Sequence, residues 1–410
     1  LKWRKKRRAQ RAMRKTHSWD NVALKSTQAI KSIANSTPKT PPRIGWVSTF
    51  NTRCGIATYS DHLLKGFPDV VTVLANESDE ITQTDTSTLR RCWVSGKQDP
   101  LDNLYTTITR EDLEIIVVQF NYGFYNFAAL GRLIRRLKAD QRQVVLMMHS
   151  TDDAPHPPEN WLSGIQQDLA LCDRILVHSI HDLNRLKDLD LVDNAALFPH
   201  GVPETQQTPA AALTPERPFV LGTYGFLLPQ KGYGALIDAL ALLRAEGRNV
   251  VLKMVNAEYP ALVSAQLAET IRSQIVRLGL TAHVDFCTDF LEDAESYKRL
   301  SEADLLVFPY RPTTESASGA VRQALAVSRP IATTPLPIFE DVSGLTLPLP
   351  GFSAPEIAEG MGGIIDQMSR PDQDGAVAQS LRHAQNWRQA NGYSQLSERL
   401  YAILSALHRA

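Results

Sequence analysis

The sequence predicts an α/β protein of two Rossmann-like, doubly wound domains facing a cleft. At 410 residues the chain is longer than one hydrophobic core ordinarily organises. Short apolar runs rich in β-branched residues alternate with amphipathic stretches along most of it. A proline-rich interruption divides that alternation into two series, as expected of paired domains.

Residues 1–42 are polar and basic and end in the breaker string TPKTPP, so they are expected to form a linker or disordered segment outside the core. Order is expected from RIGWVST onward, and the first domain spans 43–203. Its strands are read in VVTVLAN (70–76), EIIVVQF (114–120), VVLMMHS (144–150), RILVHS (174–179) and AALFPH (195–200). These runs do not alternate apolar with polar, which suits parallel strands covered on both faces, with helices such as NFAALGRLIRRLKAD between them. Residues 204–217 lie in PETQQTPAAALTPERP, which has no apolar periodicity and reads as a linker. The second domain, 218–390, carries strands in FVLGTYGF, NVVLKMVN, HVDFCTDF, ADLLVFPY and RPIATTP. A last amphipathic segment, 391–410, has apolar positions at Leu396, Leu400, Ile403 and Leu407 and is expected to pack back on the first domain.

Composition narrows the function. With 43% hydrophobic and 21% charged residues the chain reads as globular. No apolar run reaches the roughly 18 to 20 residues a membrane span needs, and the N-terminus lacks a signal-peptide core, so a cytoplasmic location is expected. Cys54, Cys92, Cys172 and Cys287 are widely spaced, without a CxxC pair, and read as reduced packing thiols. Residues 1–17 hold nine Lys or Arg and no acid, which leaves 35 basic against 44 acidic residues (44 minus 9, against 44) in the rest. Such a tail suits an anionic membrane surface, a nucleic acid, or simply solvent as a linker; the acidic body offers no continuing basic face, so no nucleic-acid partner is expected. A chain that opens on Leu1 suits a module cut from a longer polypeptide.

In open α/β sheets ligands bind beyond the carboxyl ends of the strands, so the residues after each strand hold the candidates. After the first strand, Gly55 opens a helix beside Arg53, a place where backbone can approach an anion. His149 ends VVLMMHS and should face the cleft; Asn121 follows EIIVVQF. Asp152 with Asp153, and Asp188 with Asp190, lack a third ligand nearby, so no metal is expected. In the second domain GTYGFLLPQKGYGALIDAL runs strand, turn and helix, placing Lys231 and Gly232 at the turn, where an ammonium suits a departing diphosphate. The segment DLLVFPYRPTTESASGAVRQALA carries Glu315 ahead of the small residues Ser316, Ala317, Ser318 and Gly319, whose amides could cradle phosphate, and Gln323 about two turns beyond Glu315.

The order of these motifs from about Arg43 to Ala410 resembles the GT-B glycosyltransferases, in particular the retaining family 4. The similarity is carried by RCGIATY, the strand-end His149, DRILVHS, FPHGVP, the KG turn and ESASGAVRQALA. It implies a sugar transferase that needs no metal or separate cofactor and takes a nucleotide-sugar, GDP- or UDP-linked, as co-substrate. It implies catalytic roles for Lys231 at the donor diphosphate, and for Glu315 and His149 at the donor sugar. Donor contacts are implied for Gly55, Phe226, Ser316, Ser318, Gly319, Ala320 and Gln323, with Arg53, Asn121, Arg311 and Arg322 as further candidates for phosphate or acceptor contact. Two positions depart from the family pattern: Phe226 stands where an arginine is usual, and Gln323 where a second glutamate is usual.

The resulting expectation is retaining transfer of a sugar, with GDP-mannose ahead of UDP-sugars, to an oligosaccharide or lipid-linked glycan of a bacterial surface, on the inner face of the plasma membrane. The alternative, motivated by Phe226 and Gln323, is a catalytically weak module that binds glycan or organises a larger protein. A nicotinamide-dependent enzyme is disfavoured because no G-x-G-x-x-G follows a strand with an acid about 20 residues on.

Overall fold

The computed structural model describes residues 41–409 apart from 97, 154, 155, 207, 215, 314, 316 and 371–373. The basic tail, residues 1–17, lies outside the described residues. So does Ser316.

Two parallel sheets dominate. The first contains β1 (Ile44–Ser48), β2 (Thr72–Asn76), β3 (Leu89–Trp93), β4 (Ile115–Phe120), β5 (Gln143–Met148), β6 (Arg174–Val177) and β7 (Ala195–Leu197), in the order β3-β2-β1-β4-β5-β6-β7. The second contains β8 (Phe219–Tyr224), β9 (Val250–Val255), β10 (Val284–Cys287), β11 (Leu305–Phe308), β12 (Ile331–Thr333) and β13 (Leu347–Pro348), in the order β10-β9-β8-β11-β12-β13. Each order reverses direction once, at β1 beside β4 and at β8 beside β11. Those are the switch points where chain leaving adjacent strands diverges and opens a crevice.

β4 shows why the apolar runs do not alternate. Ile116, Val118 and Phe120 join one core with the helix Phe127–Ala139, while Ile115 and Val117 join another on the opposite face. A strand covered on both sides needs apolar residues at every position. The second face is covered by the C-terminal helix Tyr393–Arg409, whose Tyr393, Leu396, Leu400, Leu404 and Leu407 pack on Trp46, Val117, Val145 and Met147. Ser397 Oγ of that helix donates to the Leu63 carbonyl at 2.6 Å, a bond between residues 334 apart in the chain.

Two strands were not read from the sequence. β3 is LRRCW, with Arg91 held by Asp85 and Arg90 by Glu111, so an edge strand carries charge in place of an apolar run. β13 spans only Leu347–Pro348, too short to leave a pattern.

The chain crosses between the sheets twice, and the crossings lie side by side. Val202 N–H donates to the Asn391 carbonyl at 3.0 Å, and Tyr393 N–H to the Val202 carbonyl at 3.1 Å. Downstream of the first crossing the chain is tied to the second sheet: Thr205 Oγ1 donates to Ala326 O at 2.7 Å, and Arg329 donates to Thr208 O at 3.0 Å. Arg217 closes the segment with a two-point ion pair to Asp304 at 2.7 and 2.8 Å.

Leu400 is fully buried against the first sheet, so Leu400→Ala is expected to cost about 2–5 kcal/mol in chemical denaturation, measured against the parent protein.

Candidate active site

The carboxyl ends of β1, β4, β5, β6 and β7 face those of β8, β9, β10 and β11 across a cavity of about 470 Å³. From the first domain Gly55, Asn121 and His149 line it; from the second, Phe226, Lys231, Glu315, Gly319, Ala320, Arg322 and Gln323 do so. The structure therefore brings together most of the residues singled out in the sequence. Arg53, Arg311 and Ser318 are not among the lining residues.

Lys231 is the most constrained of these. It ends a single 3-10 turn, Pro229–Lys231, and the following Gly232 has φ +73° before the helix Tyr233–Ala245 begins. A side chain at Gly232 would meet the Pro309 carbonyl at 1.9 Å, so only glycine lets the loop after β8 press against the loop after β11. The Lys231 ammonium is buried 4.0 Å from the Tyr310 ring centroid and donates to Glu315 Oε2 at 3.0 Å. Gln230 donates to the other Glu315 oxygen at 3.0 Å. Burial pulls the Lys231 pKa down, but Tyr310 and Glu315 outweigh it and the net direction is upward. For Glu315 burial acts upward and is outweighed by Lys231 and Gln230, so its carboxyl stays below the usual range. Both groups are charged near neutral pH, and the Glu315 side chain remains 38% exposed to the cleft.

The helix after Glu315 begins later than the sequence suggests. It spans Gly319–Leu325, so Gln323 lies about one turn inside it. The Ser318 side chain is spent as its cap, accepting from Val321 N at 3.3 Å, and lies 3.0 Å from the Tyr310 hydroxyl. Gln323 Oε1 accepts from the Tyr297 hydroxyl.

The remaining candidate cations are either paired or outside the cavity lining. Arg322 is 1% exposed, paired with Asp341 and donating to Ser318 O at 3.1 Å, so it is not a free counter-charge in place of the missing arginine. Arg311 is exposed, away from the cavity lining. Arg53 is exposed too, its guanidinium 5.9 Å from the Phe290 ring centroid across the cleft. Phe226 fills the position of that arginine with an aromatic cluster, stacked 5.9 Å from Phe290 and edge-on to Tyr259 at 5.3 Å.

His149 does face the cleft, but with its nitrogens engaged. Nε2 lies 2.8 Å from Gln119 Oε1 and Nδ1 lies 3.3 Å from His178 Nε2. His178 Nδ1 donates to Phe198 O at 3.0 Å, since a carbonyl only accepts; its Nε2 must therefore accept from His149 Nδ1–H. That leaves a lone pair on His149 Nε2, which is satisfied when the Gln119 amide turns its otherwise unpartnered nitrogen toward the ring. Burial, with His178 adding, holds the His149 pKa well below the usual imidazole value, in keeping with a neutral ring.

His178, His200 and Tyr59 were not singled out individually. Tyr59 packs against all three imidazoles at ring distances of 5.1, 5.3 and 4.8 Å. The signal was available: His178 follows β6 as His149 follows β5, and His200 follows β7 within FPH. Asp153 is committed to local structure, accepting from the Tyr122 hydroxyl at 2.7 Å and Leu162 N at 2.8 Å, and Asp152 pairs with Arg185.

Two Rossmann-like domains whose switch points face one shared cavity make up the GT-B architecture. Residues 218–367 match the family model described as glycosyl transferases group 1. No curated protein sequence matches the chain. Among solved structures, HepE of Anabaena in complex with UDP superposes with a TM-score of 0.65 at 15% identity, covering 89% of this chain and 100% of that one. Sucrose-phosphate synthase from Thermosynechococcus elongatus gives 0.69 at 14% identity, covering 90% and 99%. An E. coli structure described as trehalose-6-phosphate bound with UDP-2-fluoro glucose gives 0.64 at 10% identity, covering 88% and 99%. The chain thus has the GT-B fold, and its second domain matches the model of the group 1 glycosyl transferases.

The close approach at Gly232 gives a direct check. Gly232→Ala is expected to cost about 1–3 kcal/mol of stability in urea melts, because the loops after β8 and β11 must separate; an unchanged melt would contradict the contact.

Proposed function

We propose that the protein is a retaining glycosyltransferase that moves a hexose from a nucleoside-diphosphate donor to a glycan acceptor, with Lys231 and Glu315 as its central pair. The observation that carries this reading is the buried ammonium of Lys231 held at the cleft by a half-open carboxylate. An incoming diphosphate competes with Glu315 for Lys231. The displaced carboxylate is then free to accept hydrogen bonds from hydroxyls of the donor sugar. As the glycosidic bond breaks, negative charge grows on the leaving diphosphate, and a fixed ammonium in a partly dry site stabilises that charge more than it stabilises the bound donor. His149 lines the first-domain side of the cavity; with both nitrogens committed, it meets the sugar through its ring edge or backbone.

Retention follows from the family resemblance. The structural relatives solved with UDP or a UDP-sugar make UDP the first nucleotide to test, ahead of the GDP-mannose favoured from sequence. A glycan acceptor, with the basic tail against anionic lipid on the cytoplasmic side, remains the fitting context. No helix among the described residues is long and apolar enough to cross a membrane.

Lys231→Ala should weaken UDP binding, whereas Glu315→Gln should leave it at least as tight, because the carboxylate that competes for the ammonium is gone. Transfer by Glu315→Gln should fall by about 10²-fold to 10³-fold. Calorimetry and a donor-consumption assay separate the two effects. If both variants transfer sugar as fast as the parent protein, the assignment is wrong.

A further inference from the structure

The histidine cluster contains one imidazole whose outer nitrogen is not committed. His200, in the loop after β7, is 9% exposed and lines the cavity. Its Nδ1–H donates to the Gly201 carbonyl at 3.2 Å, which fixes the tautomer and leaves the lone pair on Nε2. Nε2 makes no hydrogen bond among the described residues. It points across the cleft: a side chain built at Gly319, on the second domain, would lie 3.9 Å from it. His149 and His178 differ, since their facing nitrogens bond each other and their remaining nitrogens are taken by Gln119 and Phe198 O.

On the reading that the cleft takes a nucleoside diphosphate, we propose that His200 is a donor-phosphate contact, and that it takes up a proton as the diphosphate binds. Lys231, the ammonium assigned to the diphosphate, lines the same cavity, so an acceptor oxygen of that group shares the space that His200 Nε2 faces. A neutral Nε2 would set its own lone pair against that oxygen. Carrying a proton turns it into a charge-assisted donor and supplies the positive charge that Phe226 does not.

The groups around the ring agree with this. Tyr59 packs 4.8 Å away from the helix Gly55–Leu64, His178 5.3 Å away from the end of β6, and Tyr393 6.4 Å away from the C-terminal helix. His149 adds to the set from β5, and Arg322, paired with Asp341, from the second domain. No carboxylate in this set faces His200 unpaired. Burial, followed by His178 and Arg322, therefore holds the empty site's His200 pKa well below the usual imidazole value. A bound diphosphate opposes those effects and raises it. Between the free and bound pKa values, nucleotide affinity should fall about tenfold per pH unit as pH rises, flattening once pH passes the bound value.

The test is calorimetry of UDP and GDP binding to the full chain, in buffers of different ionisation enthalpy, between about pH 6.5 and 8.5. Proton uptake reaching about one per nucleotide is expected somewhere in that range, and His200→Gln should abolish it while circular dichroism shows the fold retained. Tight binding without uptake overturns this inference alone, and needs no variant. Uptake that persists in His200→Gln also overturns it, assigning the proton to another group. If neither nucleotide binds the parent protein, the donor reading itself fails and the inference falls with it.

Discussion

Much of the candidate site depends on the ion pair between Lys231 and Glu315, which lie 84 residues apart. It joins the loop after β8 to the loop after β11, the two segments that diverge at the second sheet's switch point. The pair is tolerable in a nearly dry place because each member has further partners: Tyr310 lies below the ammonium and Gln230 donates to the carboxylate. A buried lysine without them would be driven toward its neutral form. The pairing also sets what a ligand must do there. Anything that engages Lys231 competes with a carboxylate already in place, so an anion with more than one acceptor oxygen has the advantage.

The opposite wall is built on a different principle. The first domain offers Tyr59 surrounded by three imidazoles, with hydrogen bonds running from Gln119 through His149 and His178 to a backbone carbonyl. Such a chain fixes tautomers without fixing charge, and burial keeps the rings neutral. One wall thus carries a permanent cation and the other carries groups able to gain one. The two walls belong to domains joined by paired crossings, where Val202 pairs with Gly392.

The architecture was largely legible in the sequence, and β4 and β8 show why. Strands covered on both faces must be apolar at successive positions, and IIVVQF and FVLGTY state that requirement directly. β3 escaped because an edge strand is kept from further pairing by charge, so its arginines masked it. Strand-end position likewise selected His149, Lys231 and Glu315 as cleft residues. The same rule applied evenly would have selected His178 and His200.

Side-chain partnership was not legible. Nothing along the chain says that Arg322 is held by Asp341, or that Phe226 stacks on Phe290. Nor does it say that His149 has spent both nitrogens while His200 has kept one. The sequence alone determined where polar groups emerge from two apolar sheets, because burial is written in local patterning. Only the tertiary structure decided which of those groups are left to meet a ligand, because hydrogen bonds and ion pairs are settled by distances between residues far apart in the chain.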